Sequence, residues 1–161
     1  MDDTMVINSP LGNIRLIARD GYLLSVQFTD EGEDPGSNAP LLLEVKSQLG
    51  AYFCGSLKMF DIPVGLGGTD FQRQVWLEVN KVPYGKTVSY HKVASSLNNP
   101  GAVRAVGAAN GSNPLLLVIP CHRVISRTGE LTGYAGGLWR KLKLLQMEAR
   151  DQPGRQYHLG F

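Results

Sequence analysis

Apolar and polar residues alternate along the first thirty positions of the chain. Residues 6–7, 13–19 and 22–28 are each predicted to form a short strand, because apolar side chains recur at every second position of a strand that buries one face. Asp20-Gly21 separates the last two segments, and Asp-Gly is typical of a two-residue hairpin turn. The pattern predicts an antiparallel meander.

From Pro40 onwards the apolar spacing becomes helical. The preceding residues 30–39 (DEGEDPGSNA) are acidic and have no apolar period, so we expect a loop there. The apolar positions of the helix that follows share one face: Leu42, Val45, Leu49 and Tyr52. Residues 65–69 (GLGGT) are typical of a linker. A first domain of one small sheet and one helix is therefore predicted over residues 1–68.

The next forty residues have the pattern of helices and turns that is typical of a helix-turn-helix unit. A helix starting near Phe71 should end at Pro83-Tyr84-Gly85, and Thr87 or Ser89 can cap a second helix that runs to Leu97. A tight turn at residues 98–101 then leads to a short third helix over 102–110. This third helix carries a single large cation, Arg104, on a surface of alanine and glycine.

The end of the chain predicts a wing and a closing helix. Arg127-Thr128-Gly129 forms a turn between two short strands within residues 124–132, and residues 133–137 form a glycine-rich loop. An amphipathic helix follows over 138–150, and residues 151–161 are expected to be a tail. The predicted fold class is α+β, with an N-terminal antiparallel-sheet domain and a C-terminal winged helix-turn-helix domain over residues 69–161.

Charge divides the chain in the same place. Residues 1–70 carry four basic and ten acidic residues, a net charge of −6, whereas residues 71–161 carry twelve basic and four acidic residues, a net charge of +8. A basic domain with a predicted helix-turn-helix unit indicates a polyanionic binding partner such as nucleic acid. The sequence has neither an apolar stretch of about 18 residues nor a secretory signal, so we expect a cytoplasmic protein without a membrane anchor.

The residues with the strongest chemical character lie where an apolar run ends. Residues 114–119 are followed by Pro120, Cys121, His122 and Arg123. A cysteine at a strand end with cationic neighbours indicates a thiol held for chemistry, since cationic neighbours favour the nucleophilic thiolate. An isolated Cys-His pair is more often structural, so the surrounding residues must decide.

Other residues of chemical interest are expected to be structural. Cys54 is predicted to be a small buried hydrophobe, and Trp76 and Trp139 are predicted to be core anchors. The two cysteines and three histidines show no spacing typical of a zinc site, so no metal is expected.

The motifs together resemble the O6-alkylguanine-DNA alkyltransferase family. The resemblance covers residues 69–149, and more loosely the N-terminal part, where the family has an RNase H-like domain. It rests on five motifs in matching order: Ser89-Tyr90, Arg104-Ala-Val-Gly, Asn113-Pro114, Pro-Cys-His-Arg-Val at 120–124 and Gly133-Tyr134-Ala-Gly-Gly.

The resemblance implies a DNA-repair reaction. An alkyl group would pass from O6 of guanine, or O4 of thymine, to Cys121, stoichiometrically and irreversibly, with no cofactor. His122 would take the cysteine proton through a bridging water, Glu148 would orient the imidazole, and Asn113 would brace the turn that holds the cysteine.

The resemblance also implies how damaged double-stranded DNA is held. The small third helix would enter the minor groove, Arg104 would fill the place of the flipped-out base, and Tyr90 would rotate the 3′ phosphate. The base would contact the Cys121 and Val124 carbonyls, Tyr134 and the Ala135 amide. The implied contacts to the DNA backbone are Gln72, His91, Asn99 and Arg127. The protein is expected to be a monomer, with cooperative binding along DNA left open.

Two other function classes remain open. A DNA-binding regulator without enzymatic activity would use the same helix-turn-helix unit and would not need Cys121. A cysteine hydrolase would use Cys121, His122 and Glu148 as its triad, but it would not need Arg104 and would turn over many times.

Overall fold

The computed structural model describes residues 1–150 and the strand His158–Leu159. The chain forms two compact units, the first of Met1–Gly67 with Pro114–Val118 and the second of Gly68–Asn113 with Ile119–Phe161. The main boundary lies within the predicted linker. The two divisions differ for Pro114–Val118. The sequence-based prediction puts this segment in the C-terminal domain, whereas the structure puts it in the first unit.

The first unit is built on a three-stranded antiparallel sheet in the order β1-β2-β3. Its strands are β1 (Asp3–Ile7), β2 (Asn13–Arg19) and β3 (Tyr22–Thr29), as the alternating pattern predicts. Asp20 and Gly21 both have positive φ, 52° and 82°, which is the conformation of a type I′ hairpin turn. Helix α1 (Pro40–Phe53) buries the four predicted apolar positions.

The segment 114–118 joins the first unit through backbone hydrogen bonds to β3. The Val26 amide donates to the Pro114 carbonyl (2.9 Å), and the Leu116 amide donates to the Val26 carbonyl (3.1 Å). β3 lies at an edge of the three-stranded sheet, and this segment satisfies backbone groups along part of that edge. Hydrophobic pattern alone does not show which sheet edge an apolar run will meet.

The second unit contains the three predicted helices of the helix-turn-helix region. They are α2 (Asp70–Val79), α3 (Tyr90–Ser96) and α4 (Val103–Gly111). Thr69 and Gln72 form a capping box at the start of α2, and Ser89 caps α3 by accepting the Lys92 amide hydrogen at 3.0 Å. Helix α5 (Leu138–Glu148) is also confirmed.

The short strands of the second unit pair differently from the prediction. β4 (Val88–Ser89) pairs in parallel with β5 (Val124–Ile125), and β6 (Glu130–Leu131) pairs in parallel with β7 (His158–Leu159). The two strands flanking the wing turn are therefore present but do not form a ladder with each other. Instead, Ser126 closes the turn by accepting the Glu130 amide hydrogen at 3.0 Å. Of the predicted tail, 151–157 and 160–161 lie outside the described residues, and 158–159 form β7.

Two of the residues predicted for the core are exposed. Cys54 is exposed at the end of α1, where hydrogen bonds to Ser56 lower the pKa of its thiol. Trp139 is 51% exposed, whereas Trp76 is buried as predicted, with its indole N–H donating to the Ala109 carbonyl (2.7 Å). Trp139 instead stacks against the Arg140 guanidinium, 4.5 Å from the ring centre. In the part of the chain that is described, no helix is long and apolar enough to cross a lipid bilayer.

Candidate active site

A single 3-10 turn at Cys121–Arg123 holds the cysteine. The Arg123 amide donates to the Pro120 carbonyl (2.9 Å) and the Cys121 amide donates to the Ile119 carbonyl (2.8 Å). The Asn113 side-chain amide donates to the same Ile119 carbonyl at 2.8 Å. These hydrogen bonds fix the backbone on both sides of Pro120. The Cys121 side chain is 2% exposed.

The environment of Cys121 keeps its thiol protonated at neutral pH. Burial raises the pKa of the Cys121 thiol to about 11, against the lowering effects of a hydrogen bond with Asn113 and of the positive charge on Lys141. Thiolate, the nucleophilic form, is therefore scarce in the free protein. Reaction at this sulfur requires a nearby group that accepts its proton.

The candidate for that base is His122. Its Nε2 lies 2.8 Å from Oε2 of Glu148, and the two side chains are 0% and 1% exposed. Burial lowers the pKa of His122 despite the opposing effect of Glu148, so the imidazole is neutral at pH 7. Because a carboxylate only accepts hydrogen bonds, the proton of the ring sits on Nε2. Nδ1 then carries the lone pair, and it is buried without a hydrogen-bond partner among the described residues.

Glu148 is held as a carboxylate by two neighbours. Burial by itself disfavours the charge, but His122 and Arg123 outweigh it and hold the pKa of Glu148 well below its usual range. Arg123 makes a two-pronged contact, with Nε 2.7 Å from Oε1 and Nη2 3.0 Å from Oε2. Its Nη1 donates to the Val82 carbonyl at 2.7 Å. The arginine thus fixes the carboxylate that fixes His122.

Lys141 is the second cation at this site, and it is fully buried. Its ammonium donates to the Val124 carbonyl (2.7 Å) and the Thr132 carbonyl (2.9 Å). It also lies 3.4 Å from the Tyr90 hydroxyl oxygen, which itself donates to the Thr132 carbonyl (2.9 Å). Burial lowers the pKa of Lys141 to about 8, and the nearby Cys121 opposes this shift.

Lys141 has no predicted role in the sequence-based interpretation, and Arg123 enters it only as a cationic neighbour of Cys121. The signal for Lys141 was present, since residues 138, 141, 145 and 148 share one face of a helix. That face contains Leu138 and Leu145, which the apolar pattern already places inward. A lysine and a glutamate on a buried stripe indicate a polar site rather than a surface. The signal for Arg123 was weaker, because a basic residue after Cys-His is equally compatible with solvent exposure.

Sequence models of known protein families match two regions of this chain. The sequence model of the 6-O-methylguanine DNA methyltransferase DNA binding domain matches residues 70–150, and that of its ribonuclease-like domain matches residues 4–66. The chain belongs to the 6-O-methylguanine DNA methyltransferase family. Together the two matched regions cover most of the chain.

Relatives within the 6-O-methylguanine DNA methyltransferase family match over nearly their whole length. A methylated-DNA–protein-cysteine methyltransferase of Mycolicibacterium paratuberculosis is 44% identical over 95% of this chain and 96% of its own. One from Methanosarcina acetivorans is 43% identical over 89% and 96%. The crystal structure of O6-methylguanine methyltransferase from Mycobacterium tuberculosis has a TM-score of 0.85 at 39% identity, covering 96% and 97% of the two chains.

A structure of the Mycobacterium tuberculosis protein in complex with DNA is similar as well. It matches with a TM-score of 0.83 at 41% identity, covering 92% of this chain and 94% of that one. The likeness therefore extends to a family member that was crystallised with DNA.

Two of the residues that resemble the family's base-pocket residues, Tyr90 and Tyr134, lie close enough to Cys121 to interact with it electrostatically. Lys141 contacts Tyr90 and the Val124 carbonyl, and Tyr134 meets the His122 ring edge-on, with ring centres 6.4 Å apart. Ala135 is exposed in the adjacent loop. Burial raises the pKa of both the Tyr90 and the Tyr134 hydroxyls.

The residues predicted to contact DNA are spread over α2, α3, α4 and two turns. Arg104, Asn99 and Arg127 are exposed, and His91 is partly buried. Gln72 differs from the others, because its side chain already accepts the Thr69 amide hydrogen (2.9 Å) and donates to Ser112 (3.2 Å). The capping box thus gives Gln72 a structural role that the DNA-contact prediction did not include.

Proposed function

We propose that the protein repairs alkylated DNA by moving an alkyl group from O6 of guanine, or O4 of thymine, irreversibly onto Cys121. The observation that carries the proposal is the buried series Cys121, His122 and Glu148, in which His122 Nδ1 is left as an unpartnered acceptor among the described residues. Membership of the 6-O-methylguanine DNA methyltransferase family gives the substrate class. The sequence motifs alone do not show which nitrogen of His122 is free to accept a proton.

The reaction follows from the chemistry of these groups. His122 Nδ1 accepts the Cys121 proton through a bridging water, and Glu148 stabilises the imidazolium that forms. The sulfur attacks the alkyl carbon, so an S–C bond forms as the C–O6 bond breaks, and guanine leaves with the electron pair and takes up a proton. The resulting thioether is not hydrolysed by a neighbouring base. Each molecule therefore acts once, which separates this reaction from that of a cysteine hydrolase.

Helix α4 supports double-stranded DNA as the partner. Its alanines and glycines allow a close approach to a narrow groove, and Arg104 projects from it as an exposed cation. A base must leave the stack before its O6 can reach a buried sulfur, and a side chain that fills the gap lowers the cost of unstacking. We assign that role to Arg104, phosphate rotation to Tyr90, and backbone contacts to His91, Asn99 and Arg127.

Intact-protein mass spectrometry tests the proposed function directly. After incubation with a duplex oligonucleotide carrying one O6-methylguanine, the protein should gain the mass of one methyl group, located by peptide mapping on Cys121. The gain should stop at one equivalent, be absent in Cys121→Ser and persist in Cys54→Ser. Unmodified wild-type protein, or many lesions repaired per molecule, would contradict the proposal.

Replacing Arg104 with alanine tests the role of α4. We expect R104A to react about tenfold or more slowly with O6-methylguanine in a duplex, because unstacking a base costs a few kcal/mol that the arginine no longer offsets. The rate with free O6-benzylguanine should remain unchanged, since no base has to be flipped. The matched control is Lys143→Ala, which removes an exposed cation of the same unit. An equal loss with the free base and the duplex would show that Arg104 acts on the fold instead.

A further inference from the structure

Asn110 has a buried acceptor that takes no part in the proton transfer from Cys121 to His122. The residue lies in the last turn of α4 and is 3% exposed. Its Nδ2 donates to the Cys121 carbonyl at 3.2 Å. Its Oδ1 is buried and has no hydrogen-bond partner within the described part of the chain.

The orientation of this amide is fixed by chemistry. A carbonyl oxygen accepts hydrogen bonds, so the NH₂ end of Asn110 must face Cys121 and the oxygen must point away from it. Buried polar atoms in folded proteins are nearly always paired, because leaving one unpaired costs free energy. A buried oxygen that is unpaired and held beside the reactive residue therefore indicates a ligand that brings a donor.

We propose that Asn110 Oδ1 accepts a hydrogen bond from the 2-amino group of the flipped-out alkylguanine and so makes the pocket selective for guanine over thymine. This inference rests on the proposed function. Alkylation at O6 leaves N1 of guanine without a hydrogen, so the 2-amino group is the donor that remains on the pairing edge of the base. An O4-alkylthymine has no N–H donor on its ring.

Two neighbouring acceptors match the two hydrogens of one amine. The Cys121 carbonyl is one of the expected base contacts, and Asn110 is bonded directly to it. The Val124 carbonyl, the other expected contact, already accepts a short hydrogen bond of 2.7 Å from the Lys141 ammonium. That bond makes the Val124 carbonyl a weaker acceptor for a second donor, and Asn110 Oδ1 supplies the acceptor that the amine still needs.

A comparison of two bases in two proteins isolates this hydrogen bond. The substrates are duplexes carrying O6-methylguanine or O6-methylhypoxanthine, which differ only in the 2-amino group. We expect wild type to react more than about tenfold faster with the guanine lesion, because the 2-amino group makes two buried hydrogen bonds there. Asn110→Leu should lose about tenfold of that preference, the effect of one buried hydrogen bond, and should keep the part that is due to the Cys121 carbonyl. Its preference for O6-methylguanine over O4-methylthymine should fall by a similar factor.

Two further variants separate a lost hydrogen bond from a loss of folded protein. Each ratio is measured within one protein, so partial unfolding of a variant cancels, and Asn110→Ala repeats the test with a smaller side chain. Asn80→Ala, at the exposed end of α2, should keep the wild-type ratio. Equal ratios in wild type and Asn110→Leu would overturn the role of Asn110. Wild type that leaves O6-methylguanine unmodified would instead overturn the proposed function.

Discussion

The E148Q variant is expected to transfer a methyl group from O6-methylguanine DNA about 10² to 10⁴ times more slowly than wild type, the range over which positioned acid–base groups act. Glutamine has nearly the shape of glutamate, so the change removes the charge and alters hydrogen bonding with little change in volume. The expected loss follows from the proton on His122.

Glu148 determines which nitrogen of His122 is basic. The carboxylate accepts from Nε2 at 2.8 Å, which leaves the lone pair on Nδ1. Arg123 Nη2 and His122 Nε2 share Oε2 of the carboxylate, whereas Arg123 Nε bonds Oε1. A glutamine offers an oxygen at only one of these two positions, and when that oxygen pairs with Arg123 Nε its NH₂ group faces Nε2. A donor at that place favours the opposite tautomer, with the proton on Nδ1. Nδ1 of His122 then has no lone pair with which to accept the Cys121 proton.

The same substitution is expected to reduce stability. Arg123 is 7% exposed and loses its counter-charge, and breaking one side of a buried ion pair costs about 3–5 kcal/mol. Urea unfolding followed by circular dichroism measures this change in the free energy of unfolding, and single-turnover kinetics of the folded fraction measure the transfer rate. Glu130→Gln, an exposed position on β6, should change neither quantity.

The tautomer of His122 provides a readout that a loss of stability does not affect. In ¹⁵N NMR spectra of wild type, Nε2 should be protonated and Nδ1 unprotonated, and the assignment should reverse in E148Q. A rate that falls only as far as the folded fraction falls, with an unchanged tautomer, would show that Glu148 is a structural residue.

More of the fold than of the candidate site could be predicted from the sequence. Alternation, helical spacing and capping residues predicted the three strands of the first unit and the five α-helices of the described residues, because these signals act over a few neighbouring residues. The partner of a two-residue strand is decided by distant residues, so the pairing of β5 with β4 and of β6 with β7 was missed. The attachment of Pro114–Val118 to β3 was missed for the same reason.

In the candidate site, too, local signals were predicted and contacts between distant residues were missed. Cys121 and His122 were predicted from a motif and Glu148 from the resemblance to the family, but neither signal states what surrounds these residues. Arg123 and Asn110 act through partners 25 and 11 positions away in the chain, and no local pattern encodes those contacts. Cys54 and Trp139 show the opposite error, since both residue types are usually buried but here lie at a helix end and in a first helical turn, where little packs over them.

Replacement of Lys141 by methionine is expected to slow methyl transfer by about 10 to 100-fold at pH 7, since an opposite charge within a few ångströms shifts a buried group by about 1–3 pKa units. Methionine keeps the length and apolar stem of lysine but carries no charge. The Lys141 ammonium lowers the pKa of Cys121, so it stabilises the negative charge that develops on sulfur. It also holds the Val124 and Thr132 carbonyls, which lie beside the base pocket.

The pH dependence distinguishes an electrostatic role from a packing role. Burial lowers the pKa of Lys141 to about 8, so the side chain is charged below that pH and neutral above it. The ratio of wild-type to K141M rates should therefore be largest near pH 7 and should fall towards a smaller, constant value by about pH 9.5, where wild type has also lost the charge. The remaining ratio measures the lost hydrogen bonds to the two carbonyls.

Single-turnover rates with an O6-methylguanine duplex, measured for both proteins from about pH 6.5 to about pH 9.5, provide this ratio. Lys143→Met removes an exposed lysine two residues along α5, and its rates should follow those of wild type at every pH. A K141M ratio that stays constant across the range would mean that Lys141 only packs the pocket. A ratio that falls with its midpoint near pH 8 would assign to the buried ammonium a part in stabilising the attacking sulfur, alongside the proton transfer to His122.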